Sequence, residues 1–225
     1  MDKIVLEYLA GVRLGEPAAI ERIGLVPLFN ETETNTPYVA LKTALQLGTL
    51  LIEESHEPGT VGQLRVTNKG DMPVLLLDGE ELAGAKQNRV LNTTILTPAN
   101  ETIIIPVSCT EQGRWSYVSP RFEESLSVAP PRVRRSNQAA VTDSVRVSGR
   151  FAGDQSEVWS RLHEISEEAS VHSATSAMRD VFRERLPQLD EVTMKFPATT
   201  NQIGMVAMVD DTVMGLDIVT LPEVY

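Results

Sequence analysis

Polar and charged side chains gather around two glycines in the segment Gly79–Arg89, which reads GEELAGAKQNR. Glycine lets a backbone approach a ligand closely, and the interior of a strand rarely needs so many functional groups. Lys and Arg bind anions, while Gln and Asn form directional hydrogen bonds. The candidate ligand-binding residues are therefore Lys86, Gln87, Asn88 and Arg89. A partly buried Glu81 could act as a general base. The alternative is a polar hairpin connection with solvated charges.

A second functional segment is Pro106–Trp115, PVSCTEQGRW, which follows a run of apolar residues. If the strand continues through it, alternation places Cys109 and Glu111 on one face. The candidate catalytic residues are Cys109 and Glu111, and the candidate ligand contacts are Arg114 and Trp115, the latter as a stacking wall. A nucleophilic thiolate needs a neighbouring base or cation, and no His lies nearby in sequence. A small buried side chain is therefore the alternative for Cys109.

The histidines do not predict a metal centre. They are His56, His163 and His172, without a His-x-His pair. His163 and Glu167 are one helical turn apart, a spacing that also suits a solvated acidic face. The nearby carboxylates of Asp78, Glu80 and Glu81 leave a Mg²⁺ or Ca²⁺ site open. No protein metal ligand and no cofactor is assigned from the sequence.

Composition and missing motifs exclude several classes of function. The net charge of −11 argues against nucleic-acid binding, which needs clustered basic residues. The sequence contains no phosphate loop, no dinucleotide fingerprint and no nucleophile elbow. Apolar runs are too short to cross a bilayer, the N-terminus does not resemble a secretory signal, and a single cysteine rules out an internal disulfide. We therefore expect a cytoplasmic protein that binds no membrane.

The elements that would position these side chains are mainly strands. Short β-branched or Leu-rich runs, separated by turn signals, are Leu50–Glu54, Gln63–Asn68, Pro73–Leu77, Val90–Thr97 and Thr102–Ser108. Five strands at this spacing predict an antiparallel meander that folds as a β-sandwich or a partial barrel. A further strand is predicted over Gly24–Asn30, and a hairpin over Ile203–Val219 with its turn at Asp210 and Asp211.

Helices are predicted in two places. Tyr38–Gly48 has helical spacing and ends at a glycine, and Asp154–Arg185 carries an apolar stripe that begins with a capping box and is stopped by Pro187. Residues 119–137 contain three prolines without periodicity, so we expect a mobile loop. The overall prediction is an α+β single domain over residues 1–225, with helices packed on one side of the sheet.

One stretch of the chain resembles a known family. GEEL-x-GAKQNR followed by PVSC-x-E-x-GRW, with QSEVW and the closing hairpin further on, is similar to the domain named for its association with ADP-ribosylglycohydrolases and rhodanese-phosphatase proteins. The resemblance covers most of the chain and is densest from Leu75 to Trp115. Members usually continue past the hairpin into a helix, whereas this sequence ends at Tyr225. The resemblance implies a role near ADP-ribose or NAD-derived metabolites, and this implication is associational.

Two hypotheses about function follow. In the first, Gly79–Arg89 and Pro106–Trp115 converge on a pocket for a small polar or phosphorylated ligand. In the second, the same polar residues tie loops together, and the protein is a scaffold that forms homo-oligomers through a sheet edge or through Ile203–Val219. The first hypothesis is favoured because many functional groups gather beside glycines in one short region.

Overall fold

The structure, a computed structural model, describes residues 3–31, 36–55 and 62–225. The helices are α1 (Lys3–Ala10), α2 (Leu41–Gln46), α3 (Pro131–Ser148), α4 (Gln155–Glu168) and α5 (Met178–Lys195). The strands are β1 (Val12–Leu14), β2 (Ala18–Ile20), β3 (Ile23–Asn30), β4 (Val39–Ala40), β5 (Leu50–Glu54), β6 (Gln63–Asn68), β7 (Val74–Leu76), β8 (Glu80–Gly84), β9 (Arg89–Leu91), β10 (Ile95–Thr97), β11 (Thr102–Cys109), β12 (Phe122–Val128), β13 (Gly204–Val209) and β14 (Thr212–Ile218). The fold is α+β, as predicted. None of the helices described is long and apolar enough to span a membrane.

The contacts divide the chain into two compact units, of which the larger is Tyr38–Leu186. Its main sheet is antiparallel in the order β12-β8-β9-β11-β6-β5. The edge strands β12 and β5 also contact each other, so the sheet curls into the predicted partial barrel. A smaller sheet of order β10-β7-β4 completes the strands of this unit, with β4 parallel to β7.

The main sheet is buried on both faces around β9. One face carries Leu82, Leu91 and Val107 within a large apolar cluster that includes residues of α2. The other face carries Val90, which packs with a second cluster contributed by the helices α3, α4 and α5 at Val133, Val158, Leu162 and Met178. Because successive residues of β9 point to opposite faces, this short strand is buried on both sides. The helices therefore cover the face that carries Val90.

The smaller unit contains Met1–Pro37 and Pro187–Tyr225. Its sheet has the order β1-β3-β13-β14, with β2 also paired to β3. The predicted terminal hairpin is confirmed, because β13 and β14 are antiparallel neighbours. Asp210 and Asp211 both adopt positive φ, as a two-residue hairpin turn of the favoured twist requires. The single-domain prediction stays a prediction.

Residues 119–137 do not form the predicted loop. They contain β12, which pairs with β8, and the first turns of α3. The register of β12 shifts between Glu124 and Val128 and its buried residues do not alternate regularly, so its sequence has no period of two. Pro131 is well suited to the start of a helix, where its missing N–H is not needed. The prediction that Pro187 stops the last helix is also wrong, because α5 continues through it to Lys195. Proline removes only its own hydrogen bond, and those on either side remain.

The predicted strand Val90–Thr97 is two strands, β9 and β10, which belong to different sheets. The predicted helix Tyr38–Gly48 is the shorter α2, preceded by β4. The prediction that a glycine ends this helix is confirmed, since Gly48 adopts a positive φ of 68° just after α2. Both differences arise at positions where the chain changes direction. Hydrophobic periodicity does not predict such positions.

Candidate functional site

The two functional segments predicted from the sequence meet in the structure. Gly79–Arg89 forms β8 and the turn into β9, and Pro106–Trp115 contains the end of β11. The register of β9 and β11 places Arg89 opposite Cys109 and Val90 opposite Ser108. Residues about twenty positions apart in the chain therefore become direct neighbours, as the first hypothesis required.

Arg89 lies at the centre of this junction and is almost completely buried. Its Nη1 donates to Gln87 Oε1 at 3.0 Å and to Cys109 Sγ at 2.9 Å. Its Nη2 lies 3.5 Å from Glu54 Oε1, which supplies the opposite charge. A buried guanidinium requires such partners because burying an unpaired charge is costly. Arg89 therefore ties β5, β9 and β11 together.

Glu111 forms the second centre. Arg114 pairs with its Oε2 at 2.6 Å, and Thr175 donates to its Oε1 at 2.8 Å. The backbone N–H of Asn88 also donates to Oε2 at 3.3 Å, and Gln87 Nε2 donates to the Glu111 carbonyl at 2.8 Å. Burial raises the pKa of Glu111, but these hydrogen bonds and the charge of Arg114 outweigh burial and hold the pKa below its ordinary value. Glu111 is therefore a fixed anion.

Glu81 lies opposite Val90 and so belongs to the face that the helices cover. The Thr110 hydroxyl donates to Glu81 Oε1 at 2.6 Å. Burial raises the pKa of Glu81 to about 7, although Thr110, the hydroxyl of Ser125 and the charge of Arg179 oppose the rise. A carboxyl with this pKa exchanges a proton near neutral pH, as a general base would.

These side chains form one buried polar network, whose members are Glu81, Gln87, Asn88, Arg89, Cys109, Thr110, Glu111 and Arg114. Gly84 lets the backbone at Arg121 approach β8, since a Cβ at Gly84 would lie 2.5 Å from the Arg121 carbonyl oxygen, and the Gly84 N–H donates to Asn88 Oδ1 at 3.2 Å. The groups converge as the sequence predicted, but they bind one another. Lys86 lies outside the network, on the ring of Tyr117 at 5.1 Å from its centroid. Whether any of these residues contacts a ligand stays a prediction.

A cavity of about 650 Å³ adjoins the network at the end of β11, and we call it the Trp115 cavity. Of the predicted residues, Cys109 and Trp115 line it. The wall also includes Ser108, Arg150, Phe151, Gln155 and Trp159, which were not among the predicted site residues. Two glycines at 149 and 153, followed by the QSEVW motif, were the signal that could have found them.

Gln155 attaches this wall to the sheet. Its Oε1 accepts from the backbone N–H of Cys109 at 2.6 Å, and its Nε2 donates to the Cys109 carbonyl at 2.9 Å. Asp154 caps α4 by accepting from the backbone N–H groups of Ser156 and Glu157, which confirms the predicted cap. The first turn of α4 is therefore held against β11, and the cavity lies beside that contact.

Cys109 is the only predicted nucleophile, and its surroundings keep it protonated. Burial raises the pKa of the Cys109 thiol, and the charge of Arg89 offsets only part of that effect. Its catalytic role stays a prediction that this environment does not favour. Among the described residues no group of three or more metal-binding side chains could hold an ion. His56 lies outside the described residues.

These features define an α+β protein in which a buried polar network supports an aromatic-lined cavity. The chain belongs to the family described as the ARG and Rhodanese-Phosphatase-superfamily-associated Protein domain, whose sequence profile matches residues 11–225. Comparison with curated proteins found no match, and comparison with solved structures also found none.

Proposed function

We propose that this protein is a small-molecule-binding module and that the Trp115 cavity receives a polar or phosphorylated metabolite. The supporting observation is that aromatic rings, a cation and buried hydrogen-bonding groups line one cavity of about 650 Å³. Binding sites for small molecules are typically hundreds of Å³ in volume and largely apolar, with a few polar groups that fix orientation.

The lining indicates the chemistry of the ligand. Trp115 and Phe151 offer faces on which a planar ring can stack, and both side chains are at least half exposed. Arg150 supplies a positive charge for a phosphate, and Ser108 supplies a hydroxyl. If ARG in the family description stands for ADP-ribosylglycohydrolase, ADP-ribose and NAD belong among the first ligands to test, an argument by association only.

We propose that the protein binds a ligand, and we do not propose a chemical reaction. The Cys109 thiol has a raised pKa, so little thiolate is available near neutral pH. Glu111 is paired with Arg114. The buried polar network accordingly acts as the support of the cavity floor, with Arg89 and Gln155 both bonded to Cys109.

The test is calorimetric titration of the protein with ADP-ribose, NAD and ribose 5-phosphate. We expect at least one of them to bind, and Trp115→Ala to weaken that binding on the order of tenfold, since stacking on an aromatic side chain contributes about 1–3 kcal/mol. The matched control is Tyr117→Ala. Tyr117 is 59% exposed against 60% for Trp115, but it is not part of the cavity wall.

Two outcomes would contradict the proposal. The first is the absence of heat change with all three compounds in a folded sample. The second is equal weakening by Trp115→Ala and Tyr117→Ala, because a ligand in the Trp115 cavity touches only the first ring.

A second candidate function is self-association through β14. This strand is the last in its sheet, and within the described residues it pairs only with β13. Val213 and Leu216 on it are more than half exposed. Exposed apolar side chains on an edge strand favour pairing between copies. Light scattering over a range of concentrations tests this candidate: we expect a dimer that Leu216→Lys dissociates, and a strict monomer would refute it.

A further inference from the structure

A second cavity, of about 420 Å³, lies on the other side of Trp159. We call it the serine cavity, because Ser166, Ser170, Ser173 and Ser176 belong to its wall. Trp159 lines both cavities, whereas Trp115 lines only the first. The serine cavity is therefore a separate compartment with its own chemistry.

The polar lining of the serine cavity contains hydrogen-bonding groups and little charge. Besides the serines it includes Gln112, His163, Glu167 and His172, and no Lys or Arg occurs among the described residues that line it. A phosphate or carboxylate ligand would meet Glu167 without a guanidinium or ammonium partner. The hydroxyls of Ser166 and Ser173 already donate to the Val171 carbonyl and to Asp180. The amide and imidazole groups of the lining both donate and accept, which matches the hydroxyl groups of a neutral polyol.

The remaining lining is apolar and suits the other side of such a ligand. Leu162, Ala177 and Met178 are buried beneath the cavity, and Trp159 forms a wall. The C–H face of a sugar ring packs on an indole in the same way as other apolar surface does.

The loop that closes the serine cavity is firmly held. Its residue Thr175 bonds to Glu111 through its hydroxyl and accepts from the Gly113 N–H at 2.9 Å. Ser170 and Ser176 both adopt left-handed backbone conformations, with φ of 53° and 52°. At Ser170 this conformation ends α4, where the N–H of Val171 donates to the Ser166 carbonyl and the N–H of Ser170 donates to the Glu167 carbonyl. The buried polar network therefore supports this loop as well as the floor of the first cavity.

We propose that the serine cavity binds a sugar, or the sugar portion of a larger ligand, with one ring face against Trp159. This proposal does not depend on occupation of the Trp115 cavity. The hydroxyl groups of the ligand would bind Gln112 and His172 at the rim of the cavity.

The experiment uses the full chain with Trp115→Phe, which leaves Trp159 as its only tryptophan, since the sequence has two. Fluorescence of Trp159 is followed during titration with D-ribose, D-glucose and myo-inositol, and in parallel with butyrate and butylamine. We expect a saturable change with at least one polyol and none with butyrate or butylamine. Gln112→Ala in the same background should weaken the polyol response at least tenfold.

The matched control is Gln46→Ala, which removes another exposed glutamine, on α2 and away from the cavity. It should leave the response unchanged. Absence of a saturable change with every polyol would overturn the proposal, as would a saturable response to butyrate or butylamine alone. Equal effects of Gln112→Ala and Gln46→Ala would also overturn it. Absence of calorimetric binding in the Trp115 cavity would leave this proposal standing, because Trp115 does not line the serine cavity.

Discussion

Glu81 and Glu111 belong to the same buried polar network, yet their surroundings give them opposite properties. Glu111 receives hydrogen bonds from Arg114, Thr175 and the Asn88 backbone, and its pKa is lowered. Glu81 receives one strong bond, from Thr110, and burial raises its pKa to about 7. The number of donors and the presence of a paired cation therefore decide which buried carboxyl is permanently charged.

The difference in pKa divides the network into a part around Glu111, which stays charged, and a part around Glu81, whose charge changes near neutral pH. The Glu111 region joins β9, the loop after β11 and the loop before α5, and both cavities depend on those segments. The Glu81 region lies between the sheet and the helices without such a junction. We infer that Glu111 stabilises the folded chain at neutral pH and that ionised Glu81 destabilises it.

The largest expected effect is that of Glu111→Ala. This change leaves the largely buried guanidinium of Arg114 without its carboxylate, and removal of one partner of a buried ion pair typically costs about 3–5 kcal/mol. Urea denaturation at pH 7 measures the loss in the free energy of unfolding. Glu123→Ala, at an exposed position, is the control and should change that free energy little. A similar small change for both variants would show that the Glu111 junction contributes nothing.

Glu81→Gln should have the opposite sign. The folded pKa of about 7 lies above the ordinary 4.5, so the folded state binds more protons between these values and stability falls as pH rises through them. A shift of this size corresponds to about 3 kcal/mol at pH 8. The substituted amide keeps an oxygen for the Thr110 hydroxyl but has no charge to bury.

We therefore expect Glu81→Gln to be more stable than the parent protein at pH 8, with the gain largely lost at pH 5. Urea denaturation at the two pH values measures it. Glu80 also has a pKa raised to about 7 by burial, but it is present in both proteins and cancels in the comparison. Equal stability of the two proteins at pH 8 would mean that ionised Glu81 does not lower the free energy of unfolding. The proposed difference between Glu81 and Glu111 would then be wrong.

The sequence predicted those parts of the fold that depend on local periodicity. Leu50–Glu54 and Gln63–Asn68 were predicted to the residue, because apolar side chains and turn signals delimit them. The last hairpin was predicted for the same reason. In contrast, β12 was missed, because its register with β8 shifts between Glu124 and Val128 and its buried residues do not alternate regularly.

The candidate site was also predicted in part. Convergence of Gly79–Arg89 and Pro106–Trp115 is confirmed by the pairing of Arg89 with Cys109. The mutual bonding of the polar groups could not be predicted, because it depends on distances across strands and on burial. Trp159 was missed as a cavity wall for a related reason: only the packing of α4 against the sheet places its side chain between two cavities.

The smallest effect concerns a single donor to Glu111. Thr175→Val keeps the shape of the side chain but removes the hydroxyl that donates to Glu111 Oε1 at 2.8 Å. A hydrogen bond to a charged group contributes about 1.5–3 kcal/mol, so we expect a loss of about 2 kcal/mol in the free energy of unfolding at pH 7. Thr142→Val is the matched control, because it removes an exposed hydroxyl that bonds only to the backbone of its own helix. The loss should diminish as acid protonates Glu111, since the lowered pKa of that carboxyl makes its contribution one that disappears as pH falls. If the cost of Thr175→Val instead stayed the same down to the lowest pH at which both proteins remain folded, its bond would not depend on a charged Glu111, and the distinction between the two carboxyls would rest on Arg114 alone.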